Sequence, residues 1–266
     1  MTTTVMPGAE AWSHRPSASA SASATAGRRA GVLVLHGFSG NPSSVRGLAQ
    51  AFAGAGYHVE LPRLPGHGTS IDEMVHTGWD DWTGEVHRAV DDLAERVDTI
   101  VLAGLSMGGA LTLSTALTHR GADAPLAGVV CINPVTRPQP PEVIEMLHEM
   151  LADGIEVMPG IGADIADPDA VELAYVGTPV RPLLSLLEDG LAGLRDRYGE
   201  LTLPLRLFTS RQDHVVEPAD SEHLAATYGG PVDHTWLERS YHVATQDFDR
   251  ELVFAEAVAF ADQVTR

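Results

Sequence analysis

The segment Thr99-Ile-Val-Leu-Ala-Gly104-Leu105-Ser106-Met107-Gly108-Gly109 sets a serine between glycines in a G-x-S-x-G pattern. The pattern alone is common. Here an apolar run precedes it and a helix-forming stretch follows, the context of a strained strand-to-helix turn that exposes a serine hydroxyl. Gly104 and Gly108 would leave room where neighbouring backbone presses close. A serine hydroxyl is a weak nucleophile and needs a base, which in turn needs an acid to orient it. When the serine sits on such a turn, the chain order is serine, acid, histidine. Asp213 follows the run Leu205-Arg-Leu-Phe-Thr209 and is the expected acid. Its competitors are Asp220, in the next helix, and Asp233, within a strand. Of the 12 histidines, His242 in Glu238-Arg-Ser-Tyr-His242-Val243 lies where the last strand ends and is the expected base. His214 adjoins the acid and is expected to point away from the serine.

Attack on an ester creates an oxyanion, which backbone N–H groups can bind. One donor is expected from Met107, next to the serine. The other is expected from Phe38, in the early loop Leu35-His36-Gly37-Phe38-Ser39-Gly40. His36 is expected to shape that loop by hydrogen bonding. No H-E-x-x-H or comparable spacing argues for a metal, and none is expected. All 17 basic residues are arginine, so Schiff-base and P-loop chemistry, which need a lysine, are excluded. The single cysteine, Cys131, lies in an apolar run and reads as a buried small hydrophobe.

These residues need a scaffold. Short apolar runs at 31–35, 57–61, 99–103, 128–132, 205–209 and 232–237 read as strands. Amphipathic stretches at 43–55, 79–97, 107–119, 218–227 and 249–264 read as helices. Strands that are apolar throughout, alternating with helices, predict a mostly parallel sheet covered on both faces, an α/β layer architecture. The rhythm breaks between 136 and 200. There the pattern predicts helices at 141–152, 168–176 and 180–197, the last with leucines at 183, 184, 187, 191 and 194. This block reads as a helical cap above the sheet, with 31–135 and 201–266 as the core. Residues 1–30, with strict Ser/Ala alternation over 17–24, read as a flexible segment.

The 266 residues suit one large domain. The net charge of −19 argues against nucleic acid as a partner and opposes binding to anionic membranes, and no stable membrane anchor is expected, while transient lipid contact through an apolar cap stays open. The longest apolar runs are far shorter than the roughly 20 residues a membrane helix needs. The first residues carry neither the basic start nor the apolar core of a signal peptide, so the expected location is the cytoplasm.

Together, the motifs resemble those of the α/β-hydrolase superfamily from residue 31 to the end. Val34-Leu-His-Gly-Phe38-Ser-Gly is similar to an oxyanion loop, and Leu61-Pro-Arg-Leu-Pro-Gly66-His67-Gly68 to the loop that braces the site. Asp213-His-Val-Val and Ser240-Tyr-His242-Val-Ala-Thr are similar to the acid and base loops. The stretch Ile161-Gly-Ala-Asp-Ile-Ala-Asp-Pro-Asp-Ala-Val-Glu172-Leu-Ala-Tyr175 resembles the cap of bacterial monoacylglycerol lipases, with small thermostable carboxylesterases next. The resemblance implies Glu172, helped by Asn133, as ligand of a glycerol head group, with Ile161 also in the substrate pocket. It implies a lipid ester as substrate and no cofactor. The chain departs from the family in Pro134, in Arg137-Pro-Gln-Pro-Pro141 and in its Ser/Ala segment, which implies that the first strands are short or missing. The readings left open are a general carboxylesterase with Glu172 incidental, acyl transfer or cofactor-free peroxidation, and a ligand-binding signal protein on the same fold.

Overall fold

The computed structural model describes residues 4–16, 29–119, 125–160 and 162–266. Its main sheet has seven strands in the order β1-β3-β2-β4-β5-β8-β9. They are β1 (Trp12–His14), β2 (Ala30–Leu35), β3 (His58–Leu61), β4 (Thr99–Leu105), β5 (Leu126–Ile132), β8 (Leu205–Ser210) and β9 (Val232–Leu237). All neighbours pair in parallel except the edge pair β1 and β3. The helices around it are α1 (Arg46–Gly54), α2 (Ile71–Met74), α3 (Trp79–Ala94), α4 (Met107–Thr118), α7 (Pro218–Thr227) and α8 (Arg250–Val264).

The two-residue period of a strand explains the unbroken apolar runs. Leu33, Leu35, Ile100, Leu102, Val129, Cys131 and Leu207 pack on one face, with Trp82, Val86 and Val90 of α3 and Leu113 of α4. Val32, Val34, Val101, Ala103, Val130, Ile132 and Phe208 pack on the other, with Leu48 and Phe52 of α1 and Val253 and Ala257 of α8. Covering both faces makes both sets apolar. Cys131 is buried in the first layer, as expected.

After β2 the chain moves to one side to make β3, then crosses to the other to make β4. In such sheets the crevice outside the strand ends at this reversal is where ligands bind. Leu35 is in register with Gly104, so the loop after β2 and the loop after β4 emerge side by side there.

Two expectations are corrected. Part of the segment read as flexible is ordered: Trp12, Ser13 and His14 pair with Leu61, Glu60 and Val59. Trp12 packs on the core, and Arg46 binds the backbone carbonyl of Glu10, so one large apolar side chain and one charged anchor suffice for a short edge strand. The rest of that expectation, residues 1–3 and 17–28, lies outside the described residues, as does Ile161.

The second correction concerns the insertion between β5 and β8. It carries α5 (Pro141–Ala152) as expected. It also contains a two-stranded antiparallel ribbon, β6 (Val157–Pro159) and β7 (Gly177–Pro179). Helix α6 (Val180–Ser185) continues through a π-helical turn, Leu186–Leu191, into Ala192–Leu194. No helix forms at 168–176. The backbone there is bound outward instead. Leu173 O accepts from the Asn41 amide, and Tyr175 N–H donates to Ser39 O at 3.1 Å.

Candidate active site

Ser106 stands between β4 and α4 with φ of 56° and ψ of −119°, a conformation a non-glycine residue rarely adopts. Such strain costs on the order of 1–3 kcal/mol and persists only where the surroundings impose it. Here they do. A Cβ on Gly104 would overlap the backbone of Gly108, and one on Gly108 would overlap the Leu35 carbonyl. Ser106 N–H is tied to Ile132 O at 3.0 Å. The other non-glycine residues with positive φ among those described are Ser39 and Asn133. All three lie at the same strand ends.

The structure brings together Asp213 and His242, the residues expected as acid and base. His242 Nδ1–H donates to Asp213 Oδ2 at 2.8 Å, and both side chains are almost fully buried. The other carboxylate oxygen, Asp213 Oδ1, accepts the N–H groups of Val215 and Val216, each at 2.8 Å. The carboxylate therefore keeps one oxygen for the imidazole. Ser106 and His242 line one cavity of about 320 Å³. The competing acids are occupied elsewhere. Asp220 accepts from the backbone of Thr136 and Arg137 and from the Arg137 guanidinium. Asp233 pairs with Arg206.

The loop after β2 crosses the serine turn. A Cβ on Gly37 would sit 3.2 Å from Ser106 Cβ, so glycine permits this approach. Phe38, from the same loop, lines the cavity. Its ring rests edge-on against Trp82 at 5.9 Å and His67 at 6.4 Å, which fixes the backbone around it. His36 shapes the loop as expected: Nδ1–H donates to Gly37 O at 3.0 Å and Nε2 accepts from Leu64 N–H at 3.1 Å. Burial holds His36 well below the ordinary imidazole range, and it pushes His67 down to about 4. Met107 is buried at the first position of α4, where a helix leaves its N–H groups free.

Glu172 lines the cavity with Ser106 and His242. Its carboxylate faces the loop after β2, since a Cβ on Gly40 would lie 3.6 Å from Glu172 Oε1. The neighbouring residues anchor it. Besides the bonds from Asn41 and Tyr175 given above, Tyr175 OH donates to Gly66 O at 2.8 Å and accepts from Thr69 N–H at 2.9 Å. Burial raises the Glu172 carboxyl above the ordinary carboxylate range; His242 opposes the rise and Asp164 adds to it. Much of the remaining lining is apolar and comes from the insertion, including Val143, Met146 and Leu147 of α5 and Leu183, Leu186 and Leu187 of α6 and its continuation.

Asn133 is placed differently from the expectation. Its Nδ2 donates to His242 O at 2.7 Å and to Ser210 Oγ at 3.0 Å, and its Oδ1 accepts from Ser210 N–H at 2.7 Å. Both ends of the amide are committed to the His242 loop and β8. Asn133 is buried and is not among the residues lining the cavity, so its amide braces the His242 loop and does not face the cavity.

Two further carboxylates escape a sequence reading. Asp164, in the insertion, accepts from the backbone of His214 and His242. Asp247 accepts from the backbone N–H groups of Ala166, Asp167 and Tyr241. Their partners lie up to 81 residues away, so no local pattern marks them. The His214 ring is hydrogen-bonded to Asp164, which lines the same cavity as Ser106. Among the described residues no three His, Cys, Asp or Glu side chains are grouped to hold a metal ion, and no helix is long and apolar enough to cross a membrane.

Comparison with known proteins places the chain in a family. The sequence pattern of the family described as Hydrolase_4, serine aminopeptidase S33, matches residues 26–249. A thermostable monoacylglycerol lipase of Bacillus sp. (strain H-257) is 37% identical over 86% of this chain and 89% of its own. A carboxylesterase of Bacillus subtilis (strain 168) is 28% identical over 88% of this chain and 92% of its own. A solved structure from work on two metagenome-derived lipolytic enzymes, LipS and LipT, superposes with a TM-score of 0.85 at 38% identity, covering 98% of this chain and 100% of that one. With a family match across most of its length and lipolytic relatives this similar, the chain belongs to the serine aminopeptidase S33 family of α/β hydrolases, as a carboxylic ester hydrolase of the lipase and esterase type.

Proposed function

We propose that this lipolytic serine hydrolase cleaves the ester of monoacylglycerols to glycerol and fatty acid through an acyl-enzyme on Ser106. His242 takes the proton of Ser106 Oγ as the oxygen attacks the ester carbonyl. Asp213 holds the imidazole in place and stabilises its protonated form. The N–H groups of Phe38 and Met107 bind the oxyanion, each donor worth roughly 3 kcal/mol in the transition state. Glycerol leaves with the proton from His242. Water then gives a proton to His242 as it attacks the acyl-enzyme, and His242 passes that proton to Ser106 Oγ as the acid is released.

The observation that carries the substrate is Glu172, a carboxylate held in the same cavity as Ser106 and His242. A monoacylglycerol has an apolar tail and two free hydroxyls. The tail suits the leucine- and methionine-lined insertion, which serves as a cap. The hydroxyls suit a buried carboxylate, whose hydrogen bonds are charge-assisted. A pocket built for free hydroxyls rejects di- and triacyl forms, which leave the carboxylate unpaired and add bulk. The lipase relative at 37% identity supports the same reading.

The test is fatty-acid release from a monoacylglycerol, the triacylglycerol and the methyl ester of one acid, with Ser106→Ala as control. Release mainly from the monoacylglycerol, lost in Ser106→Ala, is the expected result. Equal release from monoacylglycerol and methyl ester would reduce the enzyme to a general carboxylesterase.

A further inference from the structure

We propose that Asp164 is a positioning residue. Its carboxylate, carried by the insertion, seats the loops that hold Asp213 and His242. The inference rests on the roles given to those two residues above.

Asp164 Oδ2 accepts the backbone N–H of His242 at 3.0 Å and that of His214 at 3.1 Å. Asp164 Oδ1 accepts from His214 Nδ1–H at 2.8 Å, and its backbone oxygen accepts from Val243 N–H at 3.1 Å. One residue of the insertion thus grips the neighbour of the acid, the base and the residue after the base. The side chain is 10% exposed, so water does little to replace these bonds. The grip is reinforced two and three residues on. Asp247 accepts the N–H groups of Ala166 and Asp167 together with that of Tyr241, the residue before the base.

The backbone of His242 is therefore held at both polar groups by side chains from elsewhere. Its N–H goes to Asp164, and its carbonyl accepts from Asn133. The imidazole adds a third bond, to Asp213. With the main chain fixed on both sides, the ring has little freedom to leave the serine. A displacement of about 1 Å at a reacting group can cost on the order of 100-fold in rate. The strap at 162–167 is part of the support of the base, not a piece of lid that swings clear of it.

The test compares Asp164→Asn, Asp164→Glu and Asp164→Ala on a short p-nitrophenyl ester, which has no glycerol head group to engage Glu172. Turnover is referred to the sites titrated by a reactive phosphonate, so misfolded protein does not count. Asn keeps an acceptor oxygen where Oδ2 sits, whereas Glu keeps the charge but is one methylene too long. The expected result is kcat within about threefold of the parent for Asp164→Asn, with a loss of about 100-fold for Asp164→Glu and Asp164→Ala and KM little changed. The downfield Nδ1–H proton resonance of the His242–Asp213 hydrogen bond should persist in Asp164→Asn and disappear in Asp164→Glu. If Asp164→Ala does not fold, the Asn and Glu variants decide. Parental kcat in Asp164→Glu, or an equal loss in Asn and Glu, overturns the positioning role. Turnover surviving in Ser106→Ala would instead remove the reading beneath it, while an inactive Ser106→Ala beside a fully active Asp164→Glu would remove the clamp alone.

Discussion

Replacing Glu172 separates head-group recognition from ester chemistry. The carboxylate lines the cavity beside Ser106 and His242 but forms no part of the proposed relay of Ser106, His242 and Asp213. A hydrogen bond to a charged group contributes about 1.5–3 kcal/mol. At 1.4 kcal/mol per factor of ten, losing one such bond costs on the order of 10–100-fold in kcat/KM. Glu172→Ala should lower kcat/KM by that factor for a short monoacylglycerol held below its micelle concentration. The methyl ester of the same acid should stay within about threefold of the parent. Glu172→Gln, which keeps an acceptor but no charge, should fall between. Burial raises the Glu172 carboxyl, so it ionises at higher pH than an exposed one. The ratio of the two substrate rates should therefore decline in the parent as pH falls through that raised value, and stay flat in Glu172→Gln. The sign for stability is opposite to that of a salt-bridged acid. A carboxyl raised in the folded state makes folding less favourable as pH rises. Glu172→Gln should then melt above the parent at neutral pH, with the gain vanishing in acid. Equal losses on both esters would remove Glu172 from the head-group site.

Two other outcomes follow from the structure. A Cβ at position 104 meets the Gly108 backbone, which cannot yield as a flexible side chain would, so Gly104→Ala should cost about 3 kcal/mol in urea unfolding; an unchanged midpoint would contradict the tight turn. His67 is fully buried and pushed down to about 4, so the unfolded chain takes up its proton first as pH falls. Stability should decline from about pH 6.5 towards 4, by about 3 kcal/mol from this residue, and urea midpoints of His67→Gln should show a shallower decline; identical slopes would sink the argument.

The sheet was legible in the sequence because both faces are covered. Burial on both sides makes β2, β4, β5 and β8 nearly continuous apolar runs, and helices must separate parallel strands. The serine turn was legible for a steric reason: Gly104 and Gly108 are where backbone approaches backbone. Strand order singles out His242 among 12 histidines as the one after the last strand, and the structure sets it against Asp213. The parts that were not legible depend on contacts distant in sequence. Residues 168–176 carry a helical composition, yet Asn41 and Ser39 bind the backbone there and no helix forms. Asn133 reads as a polar residue free for substrate until its amide is found on the His242 carbonyl. Asp164 and Asp247 look like surface acids in a polar stretch, and only the folded chain brings the backbone N–H groups to them.

The central claim is that Ser106 is the nucleophile of a relay with His242 and Asp213. The most direct measurement is peptide mass mapping after reaction with a fluorophosphonate, run beside fatty-acid release. The account predicts one adduct, on the peptide bearing Ser106, formed as hydrolysis is lost, absent in Ser106→Ala and strongly slowed in His242→Ala. Labelling of another residue, or full hydrolysis with Ser106 modified, would contradict it.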